Sequence, residues 1–112
     1  STSGVKCSRC GTVTFKTLTY SGKGSQIIKG VNLPNGNFLM SGKGVLTNGY
    51  VESFYVYLKS SNGGTLIYWI ESAYDDKSVE KADSINGPMQ NAFIEINAGS
   101  NVKWTITIEA IN

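Results

Sequence analysis

Two cysteines carry the most obvious chemistry in this chain. Cys7 and Cys10 stand three residues apart in KCSRCG. Two thiolates at this spacing, with Gly11 letting the backbone fold under a metal, form one half of a tetrahedral zinc site. A complete site needs two more ligands, and the chain has no histidine and no further cysteine. An intrachain site would have to draw on carboxylates, whereas two chains could share one zinc through two knuckles and so form a homo-oligomer. A Cys7–Cys10 disulfide and a pair of idle thiols are the other readings. A thioredoxin-like redox role usually places Cys-x-x-Cys at a helix N-terminus, where the dipole lowers the thiol pKa. Here the following TVTFKTLTY reads as a strand.

The absence of histidine removes the commonest general base, so Ser-His-Asp, Cys-His and HExxH chemistries are excluded. The acidic segment with Asp75 and Asp76 offers carboxylates to calcium, but without EF-hand spacing it reads first as a solvated loop. Those carboxylates are also the candidates for glycosidase-type acid/base work, which needs two groups facing one cleft, and nothing in the pattern places them so. SGKG occurs at residues 21–24 and again at 41–44. Neither copy has the spacing or the following helix of a phosphate-binding P-loop, so each reads as a glycine-flanked lysine at a turn or bulge. The expectation is a protein that is not an enzyme.

Charge is segregated. Residues 1–50 hold six basic residues (Lys6, Arg9, Lys16, Lys23, Lys29, Lys43) and no acid, and five of the eight acids fall between Glu71 and Asp83. Convergence of Lys16, Lys23, Lys29 and Lys43 would make a basic patch, too small to make nucleic acid an expected partner. With 16% charged residues and many Gly, Ser, Thr and Asn, the composition leans toward extracellular or particle-surface β-domains. No run reaches the roughly 20 apolar residues of a membrane span.

The elements that must position these residues are strands. A chain of 112 residues fits one domain. It divides into an N-terminal Cys-x-x-Cys segment (1–11) and a β-domain (12–112). Four Asn-Gly pairs, at 35–36, 48–49, 62–63 and 86–87, separate stretches rich in β-branched and aromatic residues. Asn-Gly tolerates the two positive φ angles of a type I′ turn, so each pair predicts a hairpin turn. Strands are expected near 12–20, 25–33, 37–46, 50–59, 65–72, 77–84, 91–97 and 102–110. The last alternates Val102, Trp104, Ile106, Ile108 and Ala110 with polar residues at period two. Seven or eight short antiparallel strands without a convincing helix point to an all-β, jelly-roll-like antiparallel β-sandwich.

A two-residue turn at Asn62-Gly63 would fix the register of the middle hairpin, pairing Leu58 with Ile67, Tyr57 with Tyr68, Val56 with Trp69, and Tyr55 with Ile70. Opposed residues share a face. Phe54, Val56, Leu58, Ile67 and Trp69 then form the core side. Tyr55, Tyr57 and Tyr68 form a patch on the other, where rings could stack on sugar faces and hydroxyls bond to polar edges.

The stretch from Tyr20 to Glu109 contains YSGKGSQIIKGVNLPNGNF, ESFYVYL and FIEINAGSNVKWTITI. It resembles a bacterial and archaeal all-β domain of secreted or surface proteins, a β-sandwich of carbohydrate-binding-module type. The Cys-x-x-Cys-Gly outside it looks like a zinc-ribbon knuckle. The resemblance implies a non-catalytic accessory, extracellular or on a cell or particle surface, that contacts carbohydrate or a cell-surface ligand through an aromatic sheet face. The alternative expectation is a structural protein, such as a viral or phage particle component, that self-associates through its knuckle.

Overall fold

The structure, a computed structural model, describes residues 15–111. Cys7, Cys10 and the start of the first expected strand lie outside the described residues. Six strands follow among the described residues: β1 (Leu18–Lys23), β2 (Gln26–Leu46), β3 (Val51–Lys59), β4 (Thr65–Tyr74), β5 (Val79–Ala98) and β6 (Val102–Ala110). They are hydrogen-bonded in the order β1-β6-β2-β5-β3-β4, and every pair is antiparallel.

The expectation of seven or eight short strands is corrected by the length of two of them. β2 runs for 21 residues and β5 for 20, each joining two of the expected strands. They pair along both halves, with register shifts between Ile28 and Gly36 that bend the ladder. Gly30 and Gly36 adopt positive φ there, as does Asn91 opposite. The ladder thus passes from one layer of a sandwich to the other. The first layer holds β1, β6, the second half of β2 and the first half of β5. The second holds the first half of β2, the second half of β5, β3 and β4.

Two Asn-Gly pairs expected to be turns sit inside this bend, with Gly36 opposite Gly87 and Asn37 opposite Asn86. Positive φ at Gly36 is used to curve a strand instead of closing a hairpin. Asn48-Gly49 does lie in a bend, with Gly49 at φ 106°, but it leads from β2 to β3, which are not paired, and so crosses between layers. Among the four, Asn62-Gly63 is a hairpin loop.

Period-two alternation decides what each layer buries. On β6, Val102, Trp104, Ile106 and Ile108 point inward, whereas Ala110 is exposed at the strand end. They meet Met40 and Phe38 of β2 in their own layer and, from the second layer, Phe54, Val56, Leu58, Trp69, Ile94 and Ile96. Burying each large side chain contributes about 1.5–3 kcal/mol. No polar or charged residue is buried among the described residues.

The SGKG repeats acquire a packing reason: the first ends β1 in a bend, with Gly24 at φ 76°, as expected, but the reading of the second as a turn or bulge is corrected. The second lies inside the regular β2 ladder, with Gly42 and Gly44 facing inward and Lys43 outward. A Cβ on Gly42 would stand 2.5 Å from the Trp69 ring, and one on Gly44 would stand 3.0 Å from Phe54. In the first repeat Gly22 makes the same room for Trp104, 2.7 Å from a notional Cβ. Each indole is also tied by its N–H: Trp69 Nε1 donates to Asp83 Oδ2 at 2.6 Å, and Trp104 Nε1 donates to the Gly24 carbonyl at 2.8 Å.

Candidate functional site

The β3–β4 hairpin brings the three expected tyrosines together. Tyr57 pairs with Tyr68, Tyr55 with Ile70, Val56 with Trp69 and Leu58 with Ile67, the register expected from sequence. The loop reaches that register by a different route. Ser60 N–H donates to the Gly64 carbonyl and Gly63 N–H to the Ser60 carbonyl, both at 2.8 Å, leaving Ser61, Asn62 and Gly63 as a three-residue loop. Gly63 takes φ 94°, and the Asn62 side chain accepts the Gly64 N–H at 3.0 Å. Lys59 then pairs with Thr65 while Leu58 pairs with Ile67, so Leu66 is bulged out and the register is restored.

On the outward face Tyr68 is 64% exposed and Ile70 55%, while Tyr55 and Tyr57 are half-buried. The face continues beyond the residues expected from sequence. Ser53 pairs with Ser72 and Val51 with Tyr74, all at outward positions, and Tyr74 is half exposed. Tyr68 and Tyr74 are six residues apart on one strand, about 20 Å at the usual rise. Sequence reasoning ended this strand at residue 72. Continuing the period-two pattern through Tyr68, Ile70, Ser72 and Tyr74 would have found the additional ring.

The polar side of the face comes from β5, which pairs with β3 on its other edge. Glu95 lies opposite Tyr57 and Asn97 opposite Tyr55, and beyond β5 the exposed Ile27 of β2 lies opposite Glu95. Lys59 Nζ donates to Glu95 Oε1 at 2.9 Å, and its ammonium stands 5.4 Å from the centroid of the Tyr57 ring. Asn97 Nδ2 donates to the other Glu95 oxygen at 3.4 Å. The hydrogen bond from Lys59, helped by Asn97 and by the lysine's charge, holds the Glu95 carboxyl below the usual carboxylate range. Glu95 therefore stays ionised and fixed, a steady acceptor beside the rings. FIEIN gives its outward residues by alternation, but no local signal says that its strand lies beside β3.

The other candidates separate. Lys23 and Lys43 share the outer face of the first layer with Lys103, whereas Lys29 lies on the half of β2 that belongs to the second, so the four lysines do not converge into one basic patch. Asp75 and Asp76 are exposed in the turn after β4. No group of three or more Asp or Glu side chains converges to hold a metal among the described residues. No helix long and apolar enough to cross a membrane occurs among the described residues.

Comparison with known proteins places the fold. No family model matches the chain. No curated protein matches it. Among solved structures it is similar to the CBM22-1 xylan-binding domain of Paenibacillus barcinonensis Xyn10C, with 16% identity and a TM-score of 0.50, covering 86% of this chain and 72% of that one. It also matches a carbohydrate-binding module of Cellvibrio mixtus lichenase 5A, seen with cellotriose, at 15% identity and a TM-score of 0.48 over 86% and 88% of the two chains. A third match is VP2 of infectious bursal disease virus, at 12% identity and a TM-score of 0.45, over 86% of this chain and 33% of that one. The first of these shows that the antiparallel sandwich described above is a fold used by a carbohydrate-binding module.

Proposed function

We propose that this chain is a non-catalytic carbohydrate-binding module that holds a glycan against the outward face of β3 and β4. One observation carries the reading: the register places Tyr55, Tyr57 and Tyr68 in one solvent-facing patch, continued by Ile70 and Tyr74. Aromatic rings on an open sheet offer flat apolar surface to the C–H faces of pyranose rings. Glu95 and Asn97 at the edge of the patch supply an acceptor and a donor for sugar hydroxyls. The open face suits a chain longer than a single sugar, and the absence of histidine is in keeping with binding without bond cleavage. The sandwich it shares with a xylan-binding domain supports this reading. A module of this kind works outside the cell or on a cell or particle surface, where such glycans are found.

Affinity electrophoresis against xylan, mixed-linkage β-glucan and soluble cellulose derivatives tests the proposal. Retention by at least one glycan is expected, weakened about tenfold, roughly 1.4 kcal/mol, by Tyr57→Ala or Tyr68→Ala. Val45→Ala, on the opposite layer, is expected to leave it unchanged. Retention that survives both tyrosine changes would overturn the assignment of the face.

A further inference from the structure

The opposite side of the sandwich carries a different surface. The outward residues of β1, β6 and the second half of β2 form cross-strand rows: Ser21, Thr105 and Lys43 in one, and Lys23, Lys103 and Val45 in the next. Two grooves of about 670 and 660 Å³ lie on this face. Both are lined by Lys43 and Thr105, so they form one trough, with Ser41 and Thr107 toward one end and Ser21 and Lys103 toward the other.

Glu80 and Lys81 line the end with Ser41, where Lys43 and Lys81 have carboxylate partners, but at the Lys103 end the charge is not neutralised from within. Lys23 and Lys103 are direct cross-strand partners and both are exposed. Such partners have Cβ atoms about 5 Å apart, and like charges so placed are destabilising. Among the described residues the ion pairs within 4.0 Å join Lys43 to Glu80, Lys59 to Glu95 and Lys81 to Glu71, leaving neither Lys23 nor Lys103 with a carboxylate. Lys43 has only a loose partner, at 3.9 Å from Glu80. Lys103 thus lines one end of a hydroxyl-bearing trough, and Lys23, its cross-strand partner on β1, stands next to it; neither has a carboxylate partner among the described residues.

We propose that this trough binds an acidic polysaccharide, with Lys23 and Lys103 clamping one of its anionic groups and the Ser and Thr hydroxyls bonding to its sugars. A polysaccharide fits better than a nucleic acid, because single-stranded nucleic acids are gripped chiefly by stacking on exposed rings. Trp104, the aromatic residue of the trough lining, is 2% exposed with its indole turned into the core. A second copy of the same face is disfavoured by its charge. The site lies on the other layer from the tyrosines and is independent of the reading given to them.

Affinity electrophoresis of the full chain in polygalacturonate and in dextran sulfate, with dextran and oligo(dT) as comparisons, tests the proposal. Retention by either polyanion at 50 mM NaCl is expected, and which one is retained distinguishes carboxylate from sulfate. With two charge contacts and a slope of about −0.7 per contact, raising salt to 200 mM weakens binding about sevenfold. The double variant Lys23→Gln, Lys103→Gln is expected to lose at least tenfold in affinity and most of the salt dependence, with its urea midpoint unchanged or raised. Tyr57→Ala is expected to leave polyanion binding intact. The proposal is overturned if neither polyanion is retained, if the double variant binds like the parent, if Tyr57→Ala abolishes retention, or if oligo(dT) binds as tightly as the polysaccharides.

Discussion

Substituting Gly42 with alanine tests the packing that sets the distance between the two layers. Gly42 has no positive φ, so an alanine meets no backbone strain and the effect is steric. The new Cβ would lie 2.5 Å from Trp69 Cζ3 and 3.3 Å from Cη2, so the ring must move by about an ångström or the strands must part. The ring is not free to swing, because its N–H is bonded to Asp83 at 2.6 Å. Overpacking of this kind costs about 1–3 kcal/mol. Losing a hydrogen bond to a charged acceptor would add about 1.5–3 kcal/mol. Against these, replacing glycine by alanine restricts the unfolded chain, a gain of about 0.4–1 kcal/mol. The net expectation is a loss of about 2 kcal/mol, which lowers Tm by about 8 °C at roughly 4 °C per kcal/mol. Urea unfolding followed by tryptophan fluorescence measures it. The same substitution in a Trp69→Leu background removes the obstacle and is expected to be near neutral. An equal cost in both backgrounds, or a stabilised single variant, would refute the reasoning. Trp69 sits between Tyr68 and Ile70 on β4, so glycan retention is expected to fall with stability.

Four further expectations follow from particular contacts. Lys59→Met removes the main group that lowers the Glu95 pKa, so the carboxyl is expected to titrate closer to the ordinary glutamate value in an NMR pH series. Because the folded pKa is depressed, the stability that the parent draws from this pair is present above the unfolded carboxylate pKa and lost as pH falls through the lowered value; an unchanged Glu95 titration would count against the pair. Trp104→Phe deletes the donor to the buried Gly24 carbonyl and is expected to cost about 1–3 kcal/mol in urea unfolding. Ile96→Ala, at a core position, should cost about 2–5 kcal/mol, while Ile27→Ala, 57% exposed, should cost under about 0.5 kcal/mol; comparable losses would contradict the assignment of faces. If Cys7 and Cys10 hold zinc between two chains, native mass spectrometry is expected to show a dimer that a chelator dissociates. A monomer with neither zinc nor a 2 Da loss for a disulfide would remove both special readings.

What was legible in the sequence was local. Alternation along β6 and within the β3–β4 hairpin identified inward and outward residues, because a half-buried strand can satisfy its core in one register alone. Asn62-Gly63 named the hairpin even though its loop is one residue longer than expected, since the Leu66 bulge absorbed the difference. The same dipeptide misled at 35–36, where positive φ at Gly36 curves a strand, and at 86–87, which lies opposite it in the same ladder without positive φ; local chemistry does not distinguish these from a turn. What remained hidden depends on distant pairing. Gly22 and Gly42 read as turn or bulge glycines until Trp104 and Trp69 are seen above them. Glu95 joins the tyrosines only because β5 lies beside β3, and Lys103 joins Lys23 only because β6 lies beside β1.

That last pairing has a mechanical side. Leu18 lies opposite Ile108, Phe15 packs edge-on against Phe38 with ring centroids 4.8 Å apart, and Ile111 N–H donates to the carbonyl of the adjacent Asn37. The limits of the described chain, Phe15 and Ile111, therefore lie at one corner of the sandwich. Tension applied between those two points pulls across the β1–β6 ladder, loading its hydrogen bonds one after another instead of all at once. β1 would peel away from β6 at low force while the pairing of β3 and β4 bears no load. Force applied between Phe15 and Ile111 would thus open the Lys23–Lys103 layer without disturbing the tyrosine face on the other.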